Sequence, residues 1–175
     1  MAEGPAFSAE ALKALQAPIK DKYRNAPATA IITLKAKGEL DDLGIACRVE
    51  TAQAFVEAGL HPATGGSGLQ ACSGDMLLEA LVACAGVTLK AVATALDIKL
   101  RHGRVSAEGE IDFRGTLGVA KEAPVGFRNI RLRFDLDTDE PQERIDLLTK
   151  LTERYCVVYQ TLRNSPLLTL DVKAV

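Results

Sequence analysis

The sequence predicts an α+β fold with mainly antiparallel strand pairing. Three observations predict it: an apolar segment over 74–96 too long for a strand, shorter segments on either side that alternate apolar and polar residues, and a second helical segment after them. With 175 residues, the chain fits one domain. A composition of 47% apolar and 25% charged residues is that of a globular chain, not a disordered one. The net charge of −2 is spread without a basic stripe or polybasic run, which argues against nucleic-acid and membrane-surface partners. No internal repeat is present.

Residues 8–24 begin with a capping Ser8 and place apolar residues at helical spacing. Pro18 interrupts them, so a short helix, a break and a second short turn are expected. Residues 28–36 read as a strand, Lys37-Gly38-Glu39 with Asp41-Asp42 as a turn, and residues 45–56 as the partner strand of a hairpin. Residues 58–74, rich in Gly, Pro and Ser, form a loop. Ser73 is the expected N-cap of the apolar helix, and Asp75 in its first turn suits the helix dipole. Between Met76 and Leu89 only Glu79 and Thr88 are distinctly polar, so this helix should run through the middle of the molecule.

Residues 98–115 supply strand material, and 115–127 a loop. Residues 129–137 alternate again through Ile130, Leu132, Phe134 and Leu136. Asp139 is the expected cap of a second helix, with Pro141 in its first turn and Gln142 at the capping-box position. That helix should run to about Leu162 with Ile145, Leu148, Leu151, Tyr155, Val158 and Leu162 on one side. Residues 167–175 offer a last strand.

Glu79, Lys90 and Asp97 fall within the apolar stretch and favour a core helix over a membrane span. The N-terminus has neither a basic region nor an apolar one, so no secretory signal is expected. A soluble, cytoplasmic protein with reduced thiols follows from that reading.

The cysteines are residues 47, 72, 84 and 156. No pair has C-x-x-C spacing and the histidines are only His61 and His102, so neither a metal nor any other cofactor is expected. Nor do those histidines support a nucleophilic triad, and His61-Pro62 reads as a loop feature. The run Gly65-Gly66-Ser67-Gly68 lacks the Lys-Ser/Thr of a phosphate loop. Cys84 stands mid-helix among Ala83, Ala85 and Gly86, whose small side chains leave room beside the thiol. Cys156 stands on the second helix. A buried cysteine commonly serves as a small hydrophobe, so each gains meaning only if the helices pack together; then thiol–disulfide chemistry becomes available. Asp75 lies nine residues before Cys84 and could anchor an arginine that touches the thiol. Cys47 and Cys72 read as incidental, although Cys72 stands near the helix entry.

The segment Ser73-Gly74-Asp75-Met76-Leu77-Leu78-Glu79-Ala80-Leu81-Val82-Ala83-Cys84 resembles the first-cysteine helix of the OsmC/Ohr family, the osmotically inducible and organic hydroperoxide resistance proteins. Glu153-Arg154-Tyr155-Cys156-Val157-Val158 resembles the helix bearing the family's second cysteine. The resemblance covers residues 28–175 as one domain, with 1–27 as an N-terminal helical extension. It implies antiparallel sheets wrapped around two central helices in an intertwined homodimer, with active sites at the interface. It further implies that Cys84 attacks an organic hydroperoxide, that Cys156 forms a disulfide with it, and that a dithiol such as a lipoylated protein restores both. Asp75 matches the family's acidic residue, and the orienting arginine would be Arg24, ahead of Arg48. Three departures mark a divergent branch: Asp75 where Glu is usual, Ser73-Gly74 where Asn-Pro is common, and Val157 where proline commonly follows the cysteine. Apolar walls from Leu77, Leu81 and Val158 would favour alkyl or lipid hydroperoxides. The rival readings are a non-catalytic dimer that binds a small apolar ligand, and a fold whose cysteines are inert.

Overall fold

Helix α2, Ser73–Ala95, organises the chain. Leu81, Ala85, Leu89 and Ala93 recur every four residues along it and are all buried, so one stripe of the helix faces the protein. The computed structural model describes residues 8–26, 30–31, 37–40, 46–50, 55–118 and 120–174. Among them lie α1 (Ala9–Asn25), β1 (Lys37–Leu40), β2 (Ala46–Glu50), β3 (Phe55–Gly59) and β4 (Ala71–Cys72) before α2. After it come β5 (His102–Ile111), α3 (Phe113–Thr116), β6 (Phe127–Asp137), α4 (Gln142–Tyr155) and α5 (Val157–Arg163).

Strands β1 to β4 form one sheet in sequence order, antiparallel except for the short parallel β3–β4 pair. Strands β5 and β6 form a long antiparallel ribbon, from His102↔Asp137 to Ile111↔Phe127. Val105, Ala107, Gly109 and Ile111 alternate with exposed Ser106, Glu108 and Glu110, as a ribbon with one covered face requires. That face packs on α2, and α4 and α5 also pack on α2. Leu89, Ala93, Ile98 and Leu148 form the buried cluster where α2 meets α4, with Phe134 and Leu136 of β6 against it.

The end of α2 is closed from both sides. Asp97 takes φ 51°, and the Ile98 N–H returns to Ala93 O at 2.8 Å, the bond of a Schellman ending. Arg144 of α4 donates from Nη2 to Leu96 O at 2.8 Å, satisfying a carbonyl the helix leaves open and fixing α4 beside α2.

Several sequence expectations change. Helix α1 is continuous through Pro18, whose missing N–H removes one backbone bond without displacing the flanking turns. Its N-cap is Ser8 as expected, accepting from Ala11 N at 3.1 Å. Lys37–Leu40 is strand and not turn, and the run 45–56 holds parts of two strands, β2 and β3, that pair antiparallel from Ala46↔Gly59 to Glu50↔Phe55. The run contains no Gly, Pro, Asn or Asp, so no turn residue marked the reversal. Most of the expected strand 28–36 lies outside the described residues. Ser73 is the first helical residue, and Cys72 holds the N-cap position with no side-chain bond. Likewise Pro141, not Asp139, precedes α4.

Two corrections bear on function. The second helix breaks at Cys156, which takes the extended values φ −73°, ψ 108°. No strand forms over 167–174, where Leu167, Leu168, Leu170 and Val172 are 82–92% exposed and pair with no strand among the described residues. By length and composition α2 could cross a membrane, with mean hydropathy 1.8 over 18 residues, despite its charges. It packs on β5, α4 and α5, and elsewhere Leu77 and Val87 remain uncovered.

Candidate functional site

The break at Cys156 builds the site. In an unbroken helix the Val157 N–H would donate to Glu153 O. Here Glu153 O accepts from the Gln160 side chain instead, at 2.8 Å, while Cys156 N still donates to Thr152 O and Gln160 N to Cys156 O, both at 2.9 Å. The N–H groups of Val157 and Val158 are thereby released at the start of α5. Both act on the sulfur of Cys84, which stands on the facing side of α2.

Electrostatics separate the two thiols. Burial raises the Cys84 pKa, but the Val158 N–H, the Cys156 thiol, the Val157 N–H and the Thr88 hydroxyl together outweigh it and leave Cys84 below the ordinary thiol value. Thr88 is four residues on from Cys84, one turn along the same helix face. For Cys156 burial also comes first, and the Cys84 sulfur adds to it; the nearby Tyr159 and Val158 N–H groups offset only part, so this thiol is raised. Both cysteines are free; Cys156 is 1% exposed and Cys84 half-buried. The structure thus brings together one thiol disposed to ionise and one disposed to stay protonated.

The other expected residues are more dispersed. Asp75 lies in the first turn of α2, exposed, and no ion pair joins it to an arginine among the described residues. Arg24, in the last turn of α1, pairs with Asp21 on its own helix and is exposed. The side chains of Arg48 and Cys47, both on β2, lie outside the described residues. Cys72 is free and half-buried beneath the start of α2. His61 is a loop feature as expected: its Nδ1 accepts from Ala63 N at 3.0 Å and its ring stacks on Phe113 at 4.9 Å. No cluster of metal-ligating side chains occurs among the described residues.

Two adjoining clefts lie between β6 and the helices α4 and α5. A cleft of about 290 Å³ is walled by Leu81, Phe127, Ile130, Leu132 and Leu162. Gly109 admits the Phe127 ring there, since a Cβ in its place would stand 2.6 Å from that ring. The smaller one, about 140 Å³, reaches Cys156 and shares Leu132 and Tyr159 with the first. Glu153 of the small cleft and Arg163 of the large one form an ion pair. Leu81 lines the larger cleft, Val158 is half-buried, and Leu77 is 38% exposed. Sequence reasoning missed Thr88, the Val157 and Val158 N–H groups and the β6 wall. Thr88 had a signal in its spacing from Cys84, and the β-branched pair after Cys156 hinted at a helix interruption.

The fold recurs in solved structures. An OsmC-like protein from Mycoplasma pneumoniae superposes with TM-score 0.63 at 17% identity, over 77% of this chain and 89% of that one. A Legionella pneumophila protein described as an organic hydroperoxide resistance protein gives TM-score 0.60 at 18% identity, over 77% and 91%. An organic hydroperoxide resistance protein from Elizabethkingia anophelis gives the same values. At these identities the likeness is one of fold. No curated protein matches the chain in sequence. The OsmC family model, for OsmC-like proteins, matches residues 65–171, more than half of the chain and inclusive of Cys84 and Cys156; the chain belongs to this family.

Proposed function

We propose that the chain is a thiol peroxidase that reduces organic hydroperoxides, with Cys84 as the attacking thiolate and Cys156 as the resolving thiol. The observation that carries this reading is the helix break at Cys156, which sets that thiol beside Cys84 and opens the Val157 and Val158 N–H groups to the Cys84 sulfur. The Cys84 thiolate attacks the terminal peroxide oxygen; an S–O bond forms, the O–O bond breaks, and the alkoxide leaves with a proton as the alcohol. Cys156 then attacks the sulfenic sulfur, a disulfide forms and water leaves. A dithiol, such as a lipoylated protein, returns both cysteines to thiols. The apolar walls near Leu81 support alkyl or lipid substrates over hydrogen peroxide, and the names of the Legionella and Elizabethkingia proteins agree.

The working unit in this reading is a homodimer in the cytoplasm. Exposed Leu77 and Val87 on α2, and the alternating, uncovered Leu168, Leu170 and Val172, are the surfaces a second copy would cover. Asp75 would anchor an orienting arginine, Arg24 or Arg48, once the dimer forms. The alternative, a non-catalytic dimer holding an apolar ligand, is favoured by the pairing of Arg24 with Asp21. Steady-state turnover separates the two. With dithiothreitol as reductant, wild type should consume cumene hydroperoxide faster than hydrogen peroxide, and Cys84→Ser should consume neither. Full activity in Cys84→Ser would refute the assignment of the nucleophile.

A further inference from the structure

The run Glu153-Arg154-Tyr155-Cys156-Val157-Val158-Tyr159-Gln160 holds neither glycine nor proline, so no helix-breaking residue accounts for the interruption at Cys156. β-Branching at Val157 and Val158 lowers helix propensity only slightly. Val157 keeps an N–H, which an unbroken helix would donate to Glu153 O. A sharp interruption without proline or glycine needs another group inserted into the ladder of backbone bonds. Here that group is the side chain of Gln160, whose Nε2 donates to Glu153 O at 2.8 Å.

The Gln160 amide is held in its donating orientation. Glu153 O can only accept, so the amide nitrogen must face it. The amide oxygen accepts from Asn164 Nδ2 at 3.1 Å. Asn164 is itself fixed at the end of α5, where its backbone N–H donates to Gln160 O at 2.9 Å. Glu153 is tied to α5 a second time, because its carboxylate pairs with Arg163. Gln160, Arg163 and Asn164 together draw α5 back against the last turn of α4.

We propose that Gln160 is a positioning residue: its amide occupies Glu153 O in place of the Val157 N–H and thereby holds open the break that sets Cys156 beside Cys84. Two donors compete for one carbonyl. With the Gln160 amide on it, the Val157 and Val158 N–H groups stay at the Cys84 sulfur. Without that amide, the Val157 N–H returns to Glu153 O and the helix closes through Cys156. The Cys156 backbone then leaves its extended ψ of 108°, and the two thiols part. This role rests on the reading above for the pairing of Cys84 with Cys156, and needs no peroxide chemistry.

A double-mutant cycle on the full chain tests the competition. It is read by the rate at which diamide links Cys84 to Cys156, and by the pH midpoint of iodoacetamide labelling at Cys84. Gln160→Ala should slow linking several-fold and raise the midpoint. Val157→Pro removes the competing donor, and its ring would clash with Glu153 O in a closed helix. Adding Gln160→Ala to Val157→Pro should therefore leave the linking rate nearly unchanged. Equal slowing with and without Val157→Pro would overturn the proposal, because Gln160 would then act other than by excluding that N–H. So would a Gln160→Ala protein that links and titrates like wild type. If Gln160→Ala alone does not fold, recovery of folding and linking on adding Val157→Pro supports the competition, and no recovery overturns it. Failure of diamide to link the wild-type pair would overturn this role and the proposed function together. Linking that obeys the cycle, without turnover of cumene hydroperoxide, would remove the proposed function alone.

Discussion

Cys84 and Cys156 are the same side chain in different surroundings, and the difference sets their order of reaction. Thiolate fraction rises with pH, so a lowered pKa means that Cys84 ionises at lower pH than an ordinary thiol, while Cys156 ionises at higher pH. Alkylation by iodoacetamide across a pH series, read by mass spectrometry, should label Cys84 first, with a midpoint below that of Cys156. Thr88→Val removes one donor to the Cys84 sulfur and should move that midpoint upward, with a matching fall in the rate of oxidation at neutral pH. Cys156→Ser should permit one oxidation and then stop at sulfenic or over-oxidised Cys84. Both cysteines were legible in the sequence as candidates, because small residues flank Cys84 and a second helix carries Cys156. Their inequality was not legible, since it arises from N–H groups that become available only when the second helix breaks.

The break between α4 and α5 is the element on which the site depends. Cys156 already has the extended backbone that a following proline requires, and Val157 is the first residue of α5, where proline is favoured. Val157→Pro should therefore preserve the helix content by circular dichroism while removing one N–H from Cys84. The Cys84 midpoint should rise; an unchanged midpoint would mean that the Val157 N–H contributes nothing. Sequence periodicity placed α2, the β5–β6 ribbon and α4 closely, because each buries one face and leaves the other to charged residues. It failed at β1–β3, where no Gly, Pro, Asn or Asp marks the reversal within 45–56, and at Cys156, where helical spacing continues across the interruption.

The fold as a whole rests on α2 holding the ribbon on one side and α4 and α5 on another. Leu148 is fully buried against Leu89 and Ala93, so Leu148→Ala should destabilise the protein by about 2–5 kcal/mol in urea unfolding. The uncovered part of α2 and the exposed leucines after Pro166 are where one chain leaves its apolar surface unfinished. Sedimentation velocity should give a dimer, and a chain ending at Asn164 should dissociate more readily; a stable monomer of the full chain would remove the second copy from the account. The strand expected over 167–175 does not form over 167–174: Leu168, Leu170 and Val172 alternate as a strand would, but they pair with no strand among the described residues.

Thiol counting shows whether Cys84 and Cys156 act together as a peroxide-oxidised pair. The reduced protein is treated with one equivalent of cumene hydroperoxide and its free thiols are counted by mass spectrometry. Two thiols should be lost and a Cys84–Cys156 crosslink should form. Retention of all four thiols at excess peroxide would mean that the two cysteines are not such a pair.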